Sequence, residues 1–231
     1  MNTNQSRKTE SRNNVKIVID VEMCRVQTRT CQYPCNNEII QIGAVMMSES
    51  YEILHSFSTY VRPRYGRIDH FIGSLTGISE KSVKDAPDIE EALLQMMKWI
   101  GDYDVMFYSW SMTDYYQICK EIRLKCQDNL LWKKLLDQRN WVDYQERLGK
   151  RLDSAKLLKL SEALDLTEID ITGHLHDGRD DAYNTAQMIA KLELNTDYQT
   201  LIERIRANEA NQKPLTVSFG GIFQTLALEL A

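Results

Sequence analysis

Five side chains from three separated segments of this 231-residue chain have the types and order to act together. Asp20 and Glu22 stand in Ile17-Val18-Ile19-Asp20-Val21-Glu22. Asp114 closes Ser109-Trp110-Ser111-Met112-Thr113-Asp114, and His176 and Asp181 lie in His176-Asp177-Gly178-Arg179-Asp180-Asp181-Ala182. Four carboxylates and one histidine are the inventory of a site that holds two hard divalent cations and activates a water. Oxygen-rich ligands suit Mg²⁺ or Mn²⁺ and not zinc. Two such ions about 3.5–4 Å apart can clamp the attacking and leaving oxygens of a phosphoryl displacement. A histidine titrates near working pH and can take the water's proton.

The elements around these residues must bring them together. Residues 15–21 are rich in β-branched side chains and predict a strand. Side chains alternate along a strand, so Asp20 and Glu22 share a face. Apolar residues in both rows predict a central strand covered on both sides, with the acids at an opening at its C-terminal end. Val105 to Tyr108 reads as a buried strand. The helix expected at 112–125 puts Asp114 in its first turn, where the positive helix end favours a carboxylate. Ala182, Ala186 and Ile189 form one stripe of a helix at 178–192. Asp181 falls in its first turn and His176 in the loop before it. Taken singly, each segment also has a bland reading: a strand ending in solvated acids, an acid stabilising a helix start, a surface histidine. Short motifs carry that risk.

Together the segments resemble the DEDDh 3′–5′ exonucleases of the ribonuclease H-like superfamily. The resemblance rests on Asp20-x-Glu22, Asp114 after Trp110-x-x-x, and His176-x4-Asp181-Ala182. Linking segments agree: Asn37-Glu38-Ile39-Ile40-Gln41-Ile42-Gly43-Ala44, Leu75-Thr76-Gly77-Ile78, Trp141-Val142-Asp143-Tyr144, and Asp180 to Ala186. The nearest subgroup is the small stand-alone Eri-1 type, in which Asp-x-Glu-x-x-Cys precedes Asn-Glu-Ile-Ile; here Asp20-Val21-Glu22-Met23-Cys24, one residue shorter, precedes Asn37-Glu38-Ile39-Ile40. The resemblance implies Asp20, Glu22, Asp114 and Asp181 as metal ligands and His176 as general base. His174 and Asp180 are out of register, and Asp177 and Asp180 are left as outer or solvated acids. The family often has Gly after the motif-two tryptophan, where Ser111 stands. Met23 and Leu75, Thr76, Gly77 and Ile78 are implied to position the terminal nucleotide, and Tyr115 or Tyr116 stands where it could touch a base. Two Mg²⁺ (or Mn²⁺) ions are the implied cofactors.

The rest of the chain sets bounds. Its length suits one sizeable core with at most a small appendage. The apolar fraction of 43% is ordinary. No 18-residue apolar run predicts a membrane span. Residues 1–14 are polar and basic without an apolar signal core, so a disordered tail and a cytoplasmic location are expected. Five cysteines fit a reducing compartment. Cys24, Cys31 and Cys35 cluster, but no Cys-x-x-Cys pair or fourth ligand supports zinc, and reduced thiols are the favoured reading. The net charge of −5 is not what a strong nucleic-acid binder usually shows, and a short-footprint exonuclease does not need a broad basic field. Arg62, Arg64 and Arg67, and separately Lys133, Lys134 and Arg139, are local basic patches. A solvated face is their plainer reading.

The expected fold is α/β: a ribonuclease H-like mixed sheet of about five strands, the first three antiparallel, flanked by helices. Strands are expected at 15–21, 38–47, 52–61, 104–109 and 141–143. Helices are expected at 89–100, 112–125, 129–139, 156–164, 178–192 and 197–209. Asp88 and Glu91 have capping-box spacing, and Gly101 ends the first of these helices. Residues 15–209 are expected to form the exonuclease domain. Residues 210–231 are too apolar for a free tail and are expected to dock on it or to meet a protein partner. The expected activity is removal of mononucleotides from single-stranded RNA or DNA 3′ ends, with RNA favoured. The alternatives are a DNA exonuclease of the polymerase-proofreading type and a regulatory binding module on the same fold. Unused clustered carboxylates would repel one another, which weighs against the last.

Overall fold

The computed structural model describes residues 14–27, 29–128, 130–154, 156–194 and 198–211. The expected N-terminal tail, apart from Asn14, and the apolar segment beyond Asn211 lie outside them. Six strands form one mixed sheet in the order β3-β2-β1-β5-β6, with the two-residue β4 also paired to β1. The strands are β1 (Asn14–Val26), β2 (Asn37–Met47), β3 (Ile53–Tyr60), β4 (Gly66–Arg67), β5 (Asp104–Ser109) and β6 (Trp141–Asp143). The first three run antiparallel, as expected, and β5 and β6 run parallel to β1. Parallel neighbours need crossovers, and helices supply them: α1 (His70–Thr76), α2 (Glu80–Val83) and α3 (Ile89–Ile100) precede β5, and α4 (Thr113–Lys125) and α5 (Trp132–Leu136) precede β6. After β6 come α6 (Tyr144–Arg151), α7 (Leu160–Leu166) and α8 (Gly178–Leu194). A second compact unit begins at Asp197, and its described part is α9 (Tyr198–Asn211).

The central strand is covered on both sides, as its two apolar rows required. Val15, Ile17, Ile19 and Val21 join the main core with Leu93 and Met96 of α3, Ile118 and Ile122 of α4, and Phe107 of β5. Phe107 stacks on Trp141 with ring centroids 4.9 Å apart, a geometry adding roughly 0.5–1.5 kcal/mol beyond burial. The α8 helix lies against β1, β2 and β3, with Ala182, Ala186 and Ile189 buried. α3 starts where its cap predicted: Asp88 accepts from the Glu91 amide at 3.0 Å, and Gly101 at φ +70° ends it.

Several boundaries differ for local reasons. β1 runs on to Val26, so Asp20 and Glu22 lie within the strand and not at its end. The opening arises because β5 pairs with β1 only as far as Val18. The helix expected at 129–139 is interrupted: Asp137 accepts from the Arg139 amide and pairs with its guanidinium, turning the chain into a 3-10 turn. The helix expected at 156–164 begins only at Leu160, because Ser154 Oγ holds the Lys156 amide in a turn first. α1, α2, α6 and β4 were not expected. They are short, and α6 is started by Asp143, which accepts from the Glu146 amide at 2.8 Å.

Candidate active site

The middle of β1 and the first turns of α4 and α8 build the site. Beyond Val18 the β1 strand has no β5 neighbour, and the Val21 amide would be left without a ladder partner. Asp114, in the first turn of α4, fills that role: its Oδ1 accepts from Val21 N at 3.1 Å across 93 residues of sequence. The strand that carries Asp20 and Glu22 is thereby tied to the helix that carries the third acid. Asp114 is buried.

The fourth acid arrives by a close approach of two backbones. A Cβ on Gly43 of β2 would stand 2.1 Å from the carbonyl atoms of Gly178, so only glycine lets the start of α8 press onto the sheet here. Gln41 completes the contact. It lies opposite Glu22 in the β1–β2 register, accepts from Gly178 N at 3.0 Å, and donates to Asp177 Oδ2 at 3.0 Å. Asp177 in turn caps α8, accepting from the amides of Arg179 and Asp180. Asp181 is then carried to the acids of β1.

His176 joins this group. Ligand atoms of Glu22, His176 and Asp181 all lie within 4.8 Å of one another. Asp181 Oδ2 accepts from the His176 amide at 2.9 Å, while its other oxygen is buried without a hydrogen-bond partner among the described residues. His176 has a φ of +67°. That left-handed backbone costs a non-glycine residue on the order of 1 kcal/mol. Backbone strain of this kind concentrates at functional sites.

The electrostatics are those of a site that wants cations. Burial, then Asp114, Glu22 and Asp181, hold Asp20 well above the ordinary carboxylate range. Burial, followed by Asp181 and Asp114, pushes Glu22 up to about 8. Asp114 rises to about 7, burial outweighing its bond to Val21 N. Asp181 is raised by burial against the pull of the His176 amide. Four acids that resist ionisation together, and one orphaned carboxylate oxygen, fit divalent cations with oxygen ligands.

The remaining sequence candidates fall into two groups. Met23 follows Glu22 directly and is half-buried. Leu75 is 38% exposed at the end of α1, and Gly77 takes φ +71° with open space where a side chain would be. Thr76 and Ile78 face inward instead. Thr76 Oγ1 donates to Ile72 O, and Ile78 packs with Cys24 and Ile40. Tyr115 is not at the site surface: it is 5% exposed, donates its hydroxyl to Leu136 O and packs on Trp141. Its neighbour Tyr116 is exposed. Asp180 is no solvated acid. It is buried, accepts from His174 N at 2.9 Å and pairs with Arg179. His174 is outside the Glu22 group. Sequence reasoning missed Gln41 and Gly43, although both stand in the segment Asn37 to Ala44 that carried the resemblance. Cys24 is buried with its thiol pushed up to about 12, first by burial and then by Glu38 and Glu121, while Cys31 is exposed.

Residues 17–189 match the RNase_T family, described as exonucleases. The chain is 30% identical over 166 residues to a PolC-type DNA polymerase III of Caldanaerobacter subterraneus subsp. tengcongensis, covering 68% of this chain and 10% of the polymerase. It is 29% identical over 204 residues to ERI1 exoribonuclease 2 of Mus musculus, covering 76% of this chain and 28% of that protein. The chain thus spans a small part of either relative. The nuclease domain of 3′hExo, a DEDDh family member solved bound to rAMP, superposes with a TM-score of 0.63 at 24% identity, over 80% of this chain and 94% of that one.

Proposed function

This chain belongs to the RNase_T exonuclease family, and on that premise we propose that it is a divalent-metal-dependent 3′–5′ exonuclease acting on single-stranded ends, RNA before DNA. The observation that carries this reading is the meeting of Glu22, His176 and Asp181 within 4.8 Å, with Asp20 on the same strand and buried Asp114 of α4 joining the cluster electrostatically. Asp20, Glu22, Asp114 and Asp181 would hold two Mg²⁺ or Mn²⁺ ions. Such ions, when bound, supply positive charge against both sides of a phosphoryl displacement. His176, exposed on its loop, takes the proton from the attacking water. Asp181 orients that loop through the His176 amide, and Gln41 fixes the helix that carries Asp181. Leu75, Gly77 and the backbone at Met23 border the terminal nucleotide.

The preference for RNA leans on the exoribonuclease relative and on the neighbour bound to rAMP. The polymerase relative supports the second reading, a DNA exonuclease of the proofreading type. Purified protein with 5′-labelled RNA and DNA of one sequence, single-stranded and duplex, in Mg²⁺ or Mn²⁺, separates them. Faster shortening of single-stranded RNA is expected. Preference for a frayed DNA duplex would favour the second reading. No helix among the described residues is long and apolar enough to cross a membrane.

A further inference from the structure

Beyond the acids on β1, the segment that follows β3 carries a slight excess of positive charge, and its cations are drawn together. Residues 62–88 carry five cations, Arg62, Arg64, Arg67, Lys81 and Lys84, and four acids. Three of the acids are engaged by backbone amides: Asp69 by Ile72 N, Glu80 by Ile68 N and Asp88 by Glu91 N. The fourth, Asp85, is exposed. None of the five cations forms an ion pair among the described residues. The pairs that are formed lie elsewhere, as in Arg151 with Glu193 or Lys156 with Glu162.

Four of these cations converge. Arg62, Arg67, Lys81 and Lys84 line one open pocket of about 440 Å³ with Pro63, Glu80 and Val83. Arg25 adds a fifth cation beside Arg67. It is three residues beyond Glu22 on β1 and lies directly opposite Arg67 of β4. Like charges facing across a ladder destabilise the sheet, so the fold gains nothing from this pair. Its guanidinium lies 5.8 Å from the ring of Phe71, which is 59% exposed. The surface is rigid underneath. Cys24, Ile40, Ile72, Ile78 and Val83 form a small apolar cluster joining β1 to α1 and α2. Glu38 holds the loop by accepting from the amides of Arg64, Tyr65 and Gly66.

Resting on the exonuclease reading above, we propose that Arg25, Arg62, Arg67, Lys81 and Lys84, with Phe71, form a second binding site for the substrate: a track for the single-stranded segment leading away from the 3′ nucleotide. The cations take its phosphates and Phe71 stacks one base. A chain of net charge −5 would thus grip a polyanion through one local patch of unpaired charge.

The test compares wild type with Arg62→Ala/Arg67→Ala/Lys84→Ala and with Phe71→Ala. Turnover of a dinucleotide should stay within about twofold in both, because it reaches no further than the acids and the residues bordering the terminal nucleotide. Affinity for a labelled single-stranded 12-mer, measured by anisotropy in the inactive Asp20→Asn background, should fall about tenfold or more in the triple variant, and its logarithmic salt dependence should shallow by about two. Phe71→Ala should weaken the 12-mer about fivefold or more without changing that slope. Arg67→Ala alone guards against misfolding: its Tm should hold or rise, since a like-charge contact is removed, while its 12-mer affinity falls. Unchanged 12-mer affinity and salt slope in a folded triple variant would overturn the track. Equal losses with a duplex of the same length would overturn its single-stranded character. If wild type cleaved neither substrate, the exonuclease reading would fall, and the binding comparison would still decide the track.

Discussion

Gly43 and Gly178 meet backbone to backbone, so closely that a methyl group on Gly43 would lie 2.1 Å from the Gly178 carbonyl. This contact sets the first turn of α8 against β2, and with it the position of Asp181 relative to Glu22. Gly43→Ala must therefore push the helix away. Overpacking of this kind typically costs about 1–3 kcal/mol. Turnover should fall by more than the stability loss explains, because Asp181 moves with the helix. Denaturant titration and cleavage rates check both, and a variant with wild-type rate would show that the contact does not position the site.

The raised acids make the metal-free protein sensitive to pH. Asp20, Glu22, Asp114 and Asp181 all hold protons more tightly when folded than when unfolded, Glu22 to about 8 and Asp114 to about 7. The folded state then binds more protons than the unfolded one, and stability falls as pH rises. In EDTA, Tm should be highest near the ordinary carboxylate pKa of about 4 to 5 and decline up to about pH 8. Mg²⁺ should restore more stability at pH 8 than at pH 5, since cations bind the ionised acids. A Tm in EDTA that climbs across this window would contradict the account of the acids.

Neutralising one acid separates stability from activity. Asp20→Asn or Asp181→Asn should abolish cleavage. Metal-free Tm at pH 8 should hold or rise, because one member of a repelling buried cluster is gone. Calorimetry in EDTA beside a cleavage assay measures the pair of effects, and a large loss of Tm would assign these residues to the fold.

His176 carries a backbone strain that glycine would not. His176→Gly should cut turnover by about 10²–10⁴-fold, the range for loss of a general base, with no loss of Tm. His174→Ala should have a much smaller effect, since His174 is outside the Glu22 and Asp181 group. Reversed severity would move the base to the other histidine.

Lys125 lies between two fully buried acids, Glu38 and Glu121, and pairs with both. Lys125→Met leaves them uncompensated, which costs about 3–5 kcal/mol when a buried pair loses one partner. Urea unfolding should show that loss. A change under about 1 kcal/mol would mean that the acids are solvated in solution, as in exposed pairs, whose removal typically costs that little.

Much of this was legible from residue types and spacing. The alternating apolar rows of β1 require a covered central strand, and the Asp88 cap and Gly101 stop delimit α3. The spacing from His176 to Asp181 places a loop histidine beside a helix-held acid, and the fold delivers that contact through a main-chain hydrogen bond. What periodicity does not carry is tertiary. Nothing in the sequence pattern says that β5 stops pairing at Val18 and leaves Val21 N for Asp114. The closeness of Gly43 and Gly178 is likewise a packing fact between residues 135 apart in number. Tyr115 beside Asp114 looks suited to a base, yet adjacent helix positions point in different directions, and its ring goes to the core. The helix expected through Asp137 failed because a side-chain turn outcompeted propensity over a few residues.

The central claim is that these four acids and His176 run metal-dependent hydrolysis from a 3′ end. The most direct measurement follows 5′-labelled single-stranded RNA with wild type and Asp20→Asn, in Mg²⁺, in Mn²⁺ and in EDTA. The account requires a ladder of products shortened one nucleotide at a time from the 3′ end, release of nucleoside monophosphates, and no products in EDTA or with Asp20→Asn. Internal cuts, shortening that persists in EDTA, or full activity of Asp20→Asn would contradict it.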